Sequence, residues 1–466
     1  AFYNVFLHPL RNFPGPRLWA AFRLPQVLCR LMGKRAFKML ELHEKYGDIV
    51  RIGPDQLSIV KSEAWKQIYS YDHGKYTFKK HPRMYSSWEE SHNIVDAAGK
   101  NHARVRRALL PAFTDKSIKE MEPLIQKNVD HLIEYLSSAQ RSKEKPEMCS
   151  VYAFTTTDII TDIASLQRPY LLDTLDRSQV IFATWTEYWL LQLVCAFRYW
   201  PTADFFFRRL VLTPVLFFLM SGKMSLDSLS KEQSGKERTD LWSLAQKDEN
   251  GDVNLSPAEI HGNGEILTIA GAETTSTTIS ALTWYALKAP DKMAKLTAEI
   301  RTAFERPEGI TLNSVQSLPY LNAGLREALR LHPAVAGNLL RITPKNGATV
   351  CGETLPGGIE ISMPPYAMGH IPSYWQDVDK FIPERWIDPL NSPYASDRRD
   401  ASQPFSLGPQ SCIGERLAWH QARLILTKMF WHFDFVLCDD KQNWPNQNEM
   451  IGWRRNALNV EVHRRP

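Results

Sequence analysis

The 466-residue sequence has no apolar run close to the roughly 18 residues that a membrane-spanning helix needs. The nearest stretch, LVLTPVLFFLM at residues 210–220, is too short and carries Pro214. The six cysteines (Cys29, Cys149, Cys195, Cys351, Cys412 and Cys438) form no Cys-x-x-Cys pair. That argues against a zinc ribbon or a dense disulfide framework and fits a reducing compartment. Charge of one sign is scarce too: 56 Lys and Arg against 51 Asp and Glu leave +5. So mild a balance suits an acidic partner or an anionic membrane surface and does not point to nucleic acid. No internal repeat is visible, and the regular strand–helix alternation of a doubly wound fold is missing. An initiating methionine is absent as well, so the expectation is that residues upstream of Ala1, including a membrane anchor, have been removed.

What is present is ordinary globular composition, with 44% hydrophobic and 23% charged residues. Length alone suggests about three domains, although single-core enzymes of this size exist and can enclose a bulky cofactor. HPLRNFPGP (residues 8–16) suits neither helix nor strand and reads as a stiff leading segment. DIVRIGPDQLSIV (48–60) predicts two short strands around Gly53-Pro54. Helical patterns then dominate to about residue 330, interrupted by a polar connector at 231–252 that has room for one short helix. Strand signals return over 341–363, broken by LPGG. The fold class is mostly α with small β-sheets.

Four places break local rules. SPAE (256–259) is a capping box with proline at the first helical position, and the helix it opens runs to Lys288, where Ala289-Pro290 stops it. Mid-helix AGAETTSTT places a glycine, an acid and a cluster of β-branched hydroxyls among apolar neighbours, where a threonine hydroxyl can compete for the carbonyl one turn back. A buried acid beside a buried hydroxyl at a distorted turn points to proton delivery, with a solvated threonine face as the bland alternative. In LREALRLHP (325–333), Glu327 and Arg330 share a helix face; the plain reading is an exposed pair. FIPERW sets Arg385 among aromatics. In HARVRR, His102 and Arg106 are four apart and together can bind a carboxylate, whereas Arg104 and Arg107 read as an exposed basic face.

The fifth stretch, FSLGPQSCIGERLA (405–418), sets Cys412 between glycines at the start of a helical pattern. Gly408-Pro409 and Gly414 imply a tight loop that brings the backbone close to something flat. A sulfur at a helix N-terminus meets the positive dipole end, which stabilises its thiolate. No histidine pairs with it as a base, so a nucleophile is disfavoured. A thiolate metal ligand with no companions points to haem, whose ring supplies the in-plane ligands.

FSLGPQSCIG resembles the haem-binding signature of the cytochrome P-450 superfamily. AGAETT resembles its oxygen-activation motif, EALR its Glu-x-x-Arg pair, and FIPERW its meander. All four occur in the family's order, and HPLRNFPGP resembles the proline hinge of fungal microsomal members. The resemblance implies one catalytic domain over residues 1–466, a triangular prism with the haem between a long distal helix and a proximal helix. It implies haem b on Cys412, with Phe405 packed against the sulfur and amides near Gly414 bonded to it. Thr274 and Glu273 would deliver protons, and Ala270 and Gly271 would shape the groove above the iron. His102, Arg106 and Arg341 would reach the propionates, with Gly408 and Gln410 in the loop beneath; most relatives carry arginine at position 410. Glu327, Arg330 and Arg385 would form a buried network on the haem side.

The same likeness implies O2, a lipophilic secondary-metabolite substrate, and electrons from NADPH through an acidic reductase docked on Arg104, Arg107, Arg416 and Lys428. It also implies an endoplasmic reticulum location; the apolar 205–220 region reads equally as a core helix or as a surface that dips into the membrane. The substrate-facing segments would be 85–98, 185–218, 334–340 with Asn338, and the turn near Ile451. Hydroxylation or epoxidation leads; an oxidative cyclase, coupling or desaturating enzyme on the same fold is the alternative. A peroxide isomerase is disfavoured by the Glu273-Thr274 pair, and a cysteine hydrolase or haem sensor is the reading from another class.

Overall fold

The protein is represented by a computed structural model that describes residues 1–70, 78–85, 93–164, 171–174, 190, 192–207, 209, 240–245, 254–337 and 339–465. Six helices frame the site: α1 (Gly99–Leu109), α2 (Glu122–Ser142), α3 (Met148–Ile163), α4 (Pro257–Leu287), α5 (Pro319–Leu331) and α6 (Glu415–His432). The strands β1 (Ile49–Gly53), β2 (Gln56–Ile59), β3 (Lys79–Lys80), β4 (Arg341–Ile342) and β7 (Glu360–Ser362) form one sheet in the order β1-β2-β7-β4-β3. β5 (Ala348–Val350) and β6 (Glu353–Leu355) make a separate hairpin. Near the C-terminus, β8 (Phe433–Leu437) pairs with β11 (Val460–Arg464), and β9 (Asn448–Glu449) with β10 (Trp453–Arg454). The expected class, helix-dominated with small sheets, is the one observed.

α4 is the rod that the capping signals predict. Ser256 accepts from the Glu259 N–H at 3.3 Å while Glu259 accepts from the Ser256 N–H at 2.9 Å, and Pro257 sits where no N–H is needed. Its 31 residues span roughly 46 Å. The Thr274 hydroxyl bonds back to the Ala270 carbonyl at 2.6 Å, as the composition suggests. The helix nonetheless runs from Pro257 to Leu287 without a break at AGAETT. A hydroxyl can share a carbonyl lone pair without displacing the backbone donor.

Two apolar cores flank the site. The larger joins α2, α3, α4, α5 and α6, and the smaller packs the β1–β2–β7 side of the sheet against the N-terminal helices. α3 and α4 approach closely because Gly271 has no side chain: a Cβ there would lie 2.8 Å from Ile160 Cδ1. Thr156 then donates across the seam to the Ala272 carbonyl at 3.0 Å.

One sequence expectation changes here, and one is met. The leading segment is not devoid of helix: Pro9–Asn12 forms a 3-10 turn, capped by His8, whose Nδ1 accepts from the Leu10 N–H at 3.1 Å. Proline at the first position loses no hydrogen bond, so it starts the turn it was expected to prevent. Within the polar connector the described part is the single short helix Leu241–Leu244, while most of 231–252, the run 210–220 and Asn338 lie outside the described residues.

Candidate haem-thiolate site

A mostly apolar cavity of about 360 Å³ lies between α4 and the loop that precedes α6. Ala270, Gly271 and Thr274 line it from α4, and Phe405, Gln410, Cys412 and Gly414 line it from the loop. Segments that are far apart in the sequence therefore face each other across one space, as the resemblance implies.

The loop is built around its sulfur. The Cys412 N–H donates to the Phe405 carbonyl at 2.9 Å, closing a turn in which Ser406 and Gly408 take positive φ of 59° and 73°. Phe405 is half-buried, its ring tilted against Trp419 at 6.1 Å. Cys412 is open towards the cavity. Burial pushes its thiol above the ordinary value, against the opposing pull of the Gly414 N–H bonded to the sulfur; Glu415 adds to the rise, and Arg106 counters it more weakly. The expected stabilisation of a thiolate by the helix start is thus outweighed. α6 begins only at Glu415, itself an acid, and desolvation is the larger effect. Coordination to a metal reverses this, because a bound thiol is deprotonated outright.

Gly408 serves a different purpose from the one anticipated. It is not part of the cavity wall; a Cβ at this position would run into the Tyr69 carbonyl oxygen and lie 2.7 Å from Ser70 Cα. The close approach it allows is to the helix Ala64–Tyr69, not to a flat group.

Glu273 also departs from expectation. Successive helical residues point about 100° apart, so a neighbour of Thr274 can line the cavity, as Thr275 does, or turn aside to another partner. Thr274 lines it, whereas Glu273 turns to Arg455, whose Nη2 donates at 2.9 Å. Arg455 also donates through Nη1 to Ser276 Oγ at 2.6 Å.

One edge of the cavity is strongly cationic. His102 and Arg106, on one face of α1, line it with Arg341 of β4 and with Lys80 of β3. Arg106 donates to the Ser411 carbonyl at 2.7 Å, which ties α1 to the residue before the cysteine. Arg341 donates to the Leu340 carbonyl at 3.0 Å and lies over the Tyr69 ring at 4.8 Å. Burial lowers the His102 pKa to about 4, helped by Lys80, Arg106 and Arg341. Lys80 escaped the sequence reading, because a lysine in FKKHP carries no pattern and reaches the cavity only through the β3–β4 pairing. Arg455 escaped for the same reason.

Glu327, Arg330 and Arg385 stand apart from the cavity, fully buried, as the resemblance implies and against the exposed-pair reading. Arg330 grips Glu327 at 2.9 and 2.8 Å, Arg385 reaches it at 3.0 Å, and the Trp386 indole at 2.8 Å. Arg385 also pairs with Asp397. Burial alone would raise the Glu327 carboxyl; Arg330, then Arg385 and Trp386, outweigh it and hold it below the ordinary range.

Of the expected substrate-facing segments, Tyr85, Ile94 and Val95 line the cavity, as do Ala334, Val335 and Leu339. The described residues of 185–218 and Ile451 do not. The expected basic face is mostly neutralised: Arg104 pairs with Glu259, Arg416 with Asp115, and Lys428 is buried against Asp130. Acids from neighbouring helices meet these cations, which spacing along one helix does not reveal.

These residues fit a haem. Among the described residues no group of three or more His, Cys, Asp or Glu could hold a metal ion, so the Cys412 sulfur needs a metal whose other ligands come with it. The cationic edge supplies what two carboxylates require. That donor set belongs to the haem-thiolate proteins.

The sequence model described as Cytochrome P450 matches residues 13–462, and the chain belongs to that family. It is 36% identical to cytochrome P450 monooxygenase efuB of Hormonema carpetanum, over 99% of this chain and 92% of that protein. It is 32% identical to cytochrome P450 monooxygenase olcB of Penicillium canescens, covering 100% and 96%. Identity to the trichothecene C-4 hydroxylase of Trichoderma arundinaceum is 32%, covering 99% and 94%. The protein is an oxidoreductase of the monooxygenase type; membership of the family implies a haem, O2 and a redox partner.

Proposed function

We propose that the whole chain acts as one catalytic domain that hydroxylates or epoxidises a lipophilic secondary metabolite, using haem b held by Cys412. The observation that carries this reading is that a lone thiol and a helical hydroxyl, Cys412 and Thr274, line one apolar cavity. The bound haem would supply activation of O2 and insertion of one oxygen atom into the substrate. The chain's own residues do the rest. The Gly414 N–H would moderate the charge on the sulfur, and His102, Arg106 and Arg341 would orient the carboxylate edge, with Gln410 donating a neutral hydrogen bond beside them. Because the Thr274 hydrogen is directed to Ala270, its oxygen lone pairs are available to a water in the cavity, which it would hold for proton transfer. Glu273, paired with Arg455, can take part only by turning away from that partner. Ile94, Val95, Ala334 and Leu339 would exclude water and seat the substrate.

Electrons would come from NADPH through a reductase in the endoplasmic reticulum membrane. Among the described residues no helix is long and apolar enough to cross a membrane. Surface contact is supported instead by exposed Phe205 and Phe206 and by exposed Phe2, Phe6, Leu18, Phe22, Leu24 and Met32. The two groups are neighbours, since Arg23 lies over the Tyr199 ring at 4.1 Å.

The test is a carbon monoxide difference spectrum of the reduced protein, followed by mass analysis of products from lipophilic pathway intermediates. A red-shifted Soret band and a gain of one oxygen are expected. Loss of two hydrogens instead would favour the cyclising or desaturating alternative, and absence of the band would overturn the haem-thiolate reading.

A further inference from the structure

β3 and β4 pair antiparallel with Lys80 directly opposite Arg341, so two cations occupy one cross-strand position. Like charges in that relation destabilise a sheet. Both side chains nevertheless line the same end of the cavity as His102 and Arg106. The repulsion is visible in Lys80 itself: burial, then Arg341 and, more weakly, Arg106, lower its pKa to about 8, and Asp96, the one acid acting on it, does not make up the difference. Three positive groups, with the His102 imidazole beside them, in a partly desolvated corner make sense when an anion with more than one charge sits among them.

Lys80 has a second task. Its Nζ donates to the carbonyls of Ile94, Val95 and Ala97 at 3.2, 2.6 and 3.2 Å. Ile94 and Val95 line the cavity, so one ammonium group belongs to the cationic edge and holds the turn that faces the substrate. Its three protons are already engaged, which leaves it acting on an anion through its charge rather than by donating to it.

We propose that Lys80 is a positioning residue for the carboxylate edge of the haem: its fixed charge completes the cradle formed by Arg341, His102 and Arg106, while its N–H groups fasten the turn Ile94–Ala97 to that edge. The inference rests on the haem-thiolate reading. It accounts for how a neutral Gln410 is tolerated at the same cavity wall: the charge missing from the loop is supplied from the sheet. It also links cofactor and substrate, because a ligand that displaces the turn moves the charge beside the haem.

The test compares holoenzymes carrying Lys80→Gln, Lys80→Arg and Lys80→Gln with Gln410→Arg. Lys80→Gln, which keeps donors but no charge, should release haem to an acceptor protein about tenfold faster, the scale of a lost outer contact at a metal centre. It should also lower the reduction potential. Lys80→Arg should stay near wild type, and Gln410→Arg should restore both readings in the Lys80→Gln background. Reconstitution with haem dimethyl ester should abolish the difference between wild type and Lys80→Gln. Wild-type haem release and potential in Lys80→Gln would overturn the proposal, as would a defect that persists with the ester. Should Lys80→Gln not fold, wild type against Lys80→Met, which keeps the stem and loses the charge, with haem and with its ester makes the same comparison. Failure of the haem-thiolate reading itself would show separately, as a wild-type protein lacking the red-shifted Soret band.

Discussion

The protein contains two buried clusters of charge, and they are built on opposite principles. Around Glu327, two guanidinium groups, a second carboxylate and an indole meet so that each charge has its partner within the chain. Arg330 even spends its remaining donors on the Gly369 and Val378 carbonyls, both at 2.7 Å. At the cavity edge, Lys80, Arg106 and Arg341 are like charges, and they and burial keep the His102 imidazole neutral. The first cluster is complete and can serve only structure. In the second, cations share one end of an open cavity, and that asymmetry separates a cluster that closes on itself from one that lines a space.

The comparison breaks most sharply at Glu327. Replacing it with alanine strands the buried Arg330 guanidinium and leaves Arg385 with Asp397 alone, a loss of about 3–5 kcal/mol. Glu327→Ala should therefore leave little soluble protein, and normal denaturant unfolding would show that the network does not hold the fold. Cys412→Ala should do the reverse, with unfolding of the haem-free protein near wild type but the red-shifted Soret band and activity lost. Retention of the band would remove Cys412 as ligand. Thr274→Ala loses one hydroxyl and should keep haem, while peroxide release per NADPH rises at the expense of product. Unchanged coupling would exclude the hydroxyl from proton handling.

The subtlest difference is in acid. His102 has its folded pKa depressed to about 4 from 6.5, so its neutral form belongs to the folded state. The unfolded chain binds the proton first, and stability falls as pH drops from 6.5 towards 4. Glu327, also depressed, contributes stability above its ordinary 4.5 and loses it only as pH falls through its lower folded value, so it is silent over most of that window. Buried His43, His332 and His370 titrate in the same direction as His102. The His102 share is therefore read as a shallower acid slope in His102→Gln than in wild type. Haem, by bringing carboxylates to the cradle, should flatten the wild-type slope, and equal slopes with and without haem would contradict the pairing.

Much of this was legible because the signals are local. The capping box, the proline stop, the four-residue spacing of His102 and Arg106, and the glycine-flanked cysteine each fit within one turn or loop. What escaped depends on distant segments. Lys80 gains its meaning from pairing with Arg341, and Glu273 is claimed by Arg455 from the C-terminal hairpin. The rise of the Cys412 thiol could not be read either, because sequence shows a helix start but not the depth of burial that outweighs it.

The contact between Gly408 and Tyr69 extends further than one loop. The Tyr69 hydroxyl donates to the Leu339 carbonyl at 2.7 Å and accepts from the Met363 N–H at 3.2 Å, while the Tyr69 carbonyl abuts Gly408. One residue thus serves as the common datum for the sulfur-bearing loop and for the cavity-lining loop that holds Leu339. Tolerances measured from a shared reference do not accumulate, so the gap between the two loops is set by the chain itself before any guest arrives.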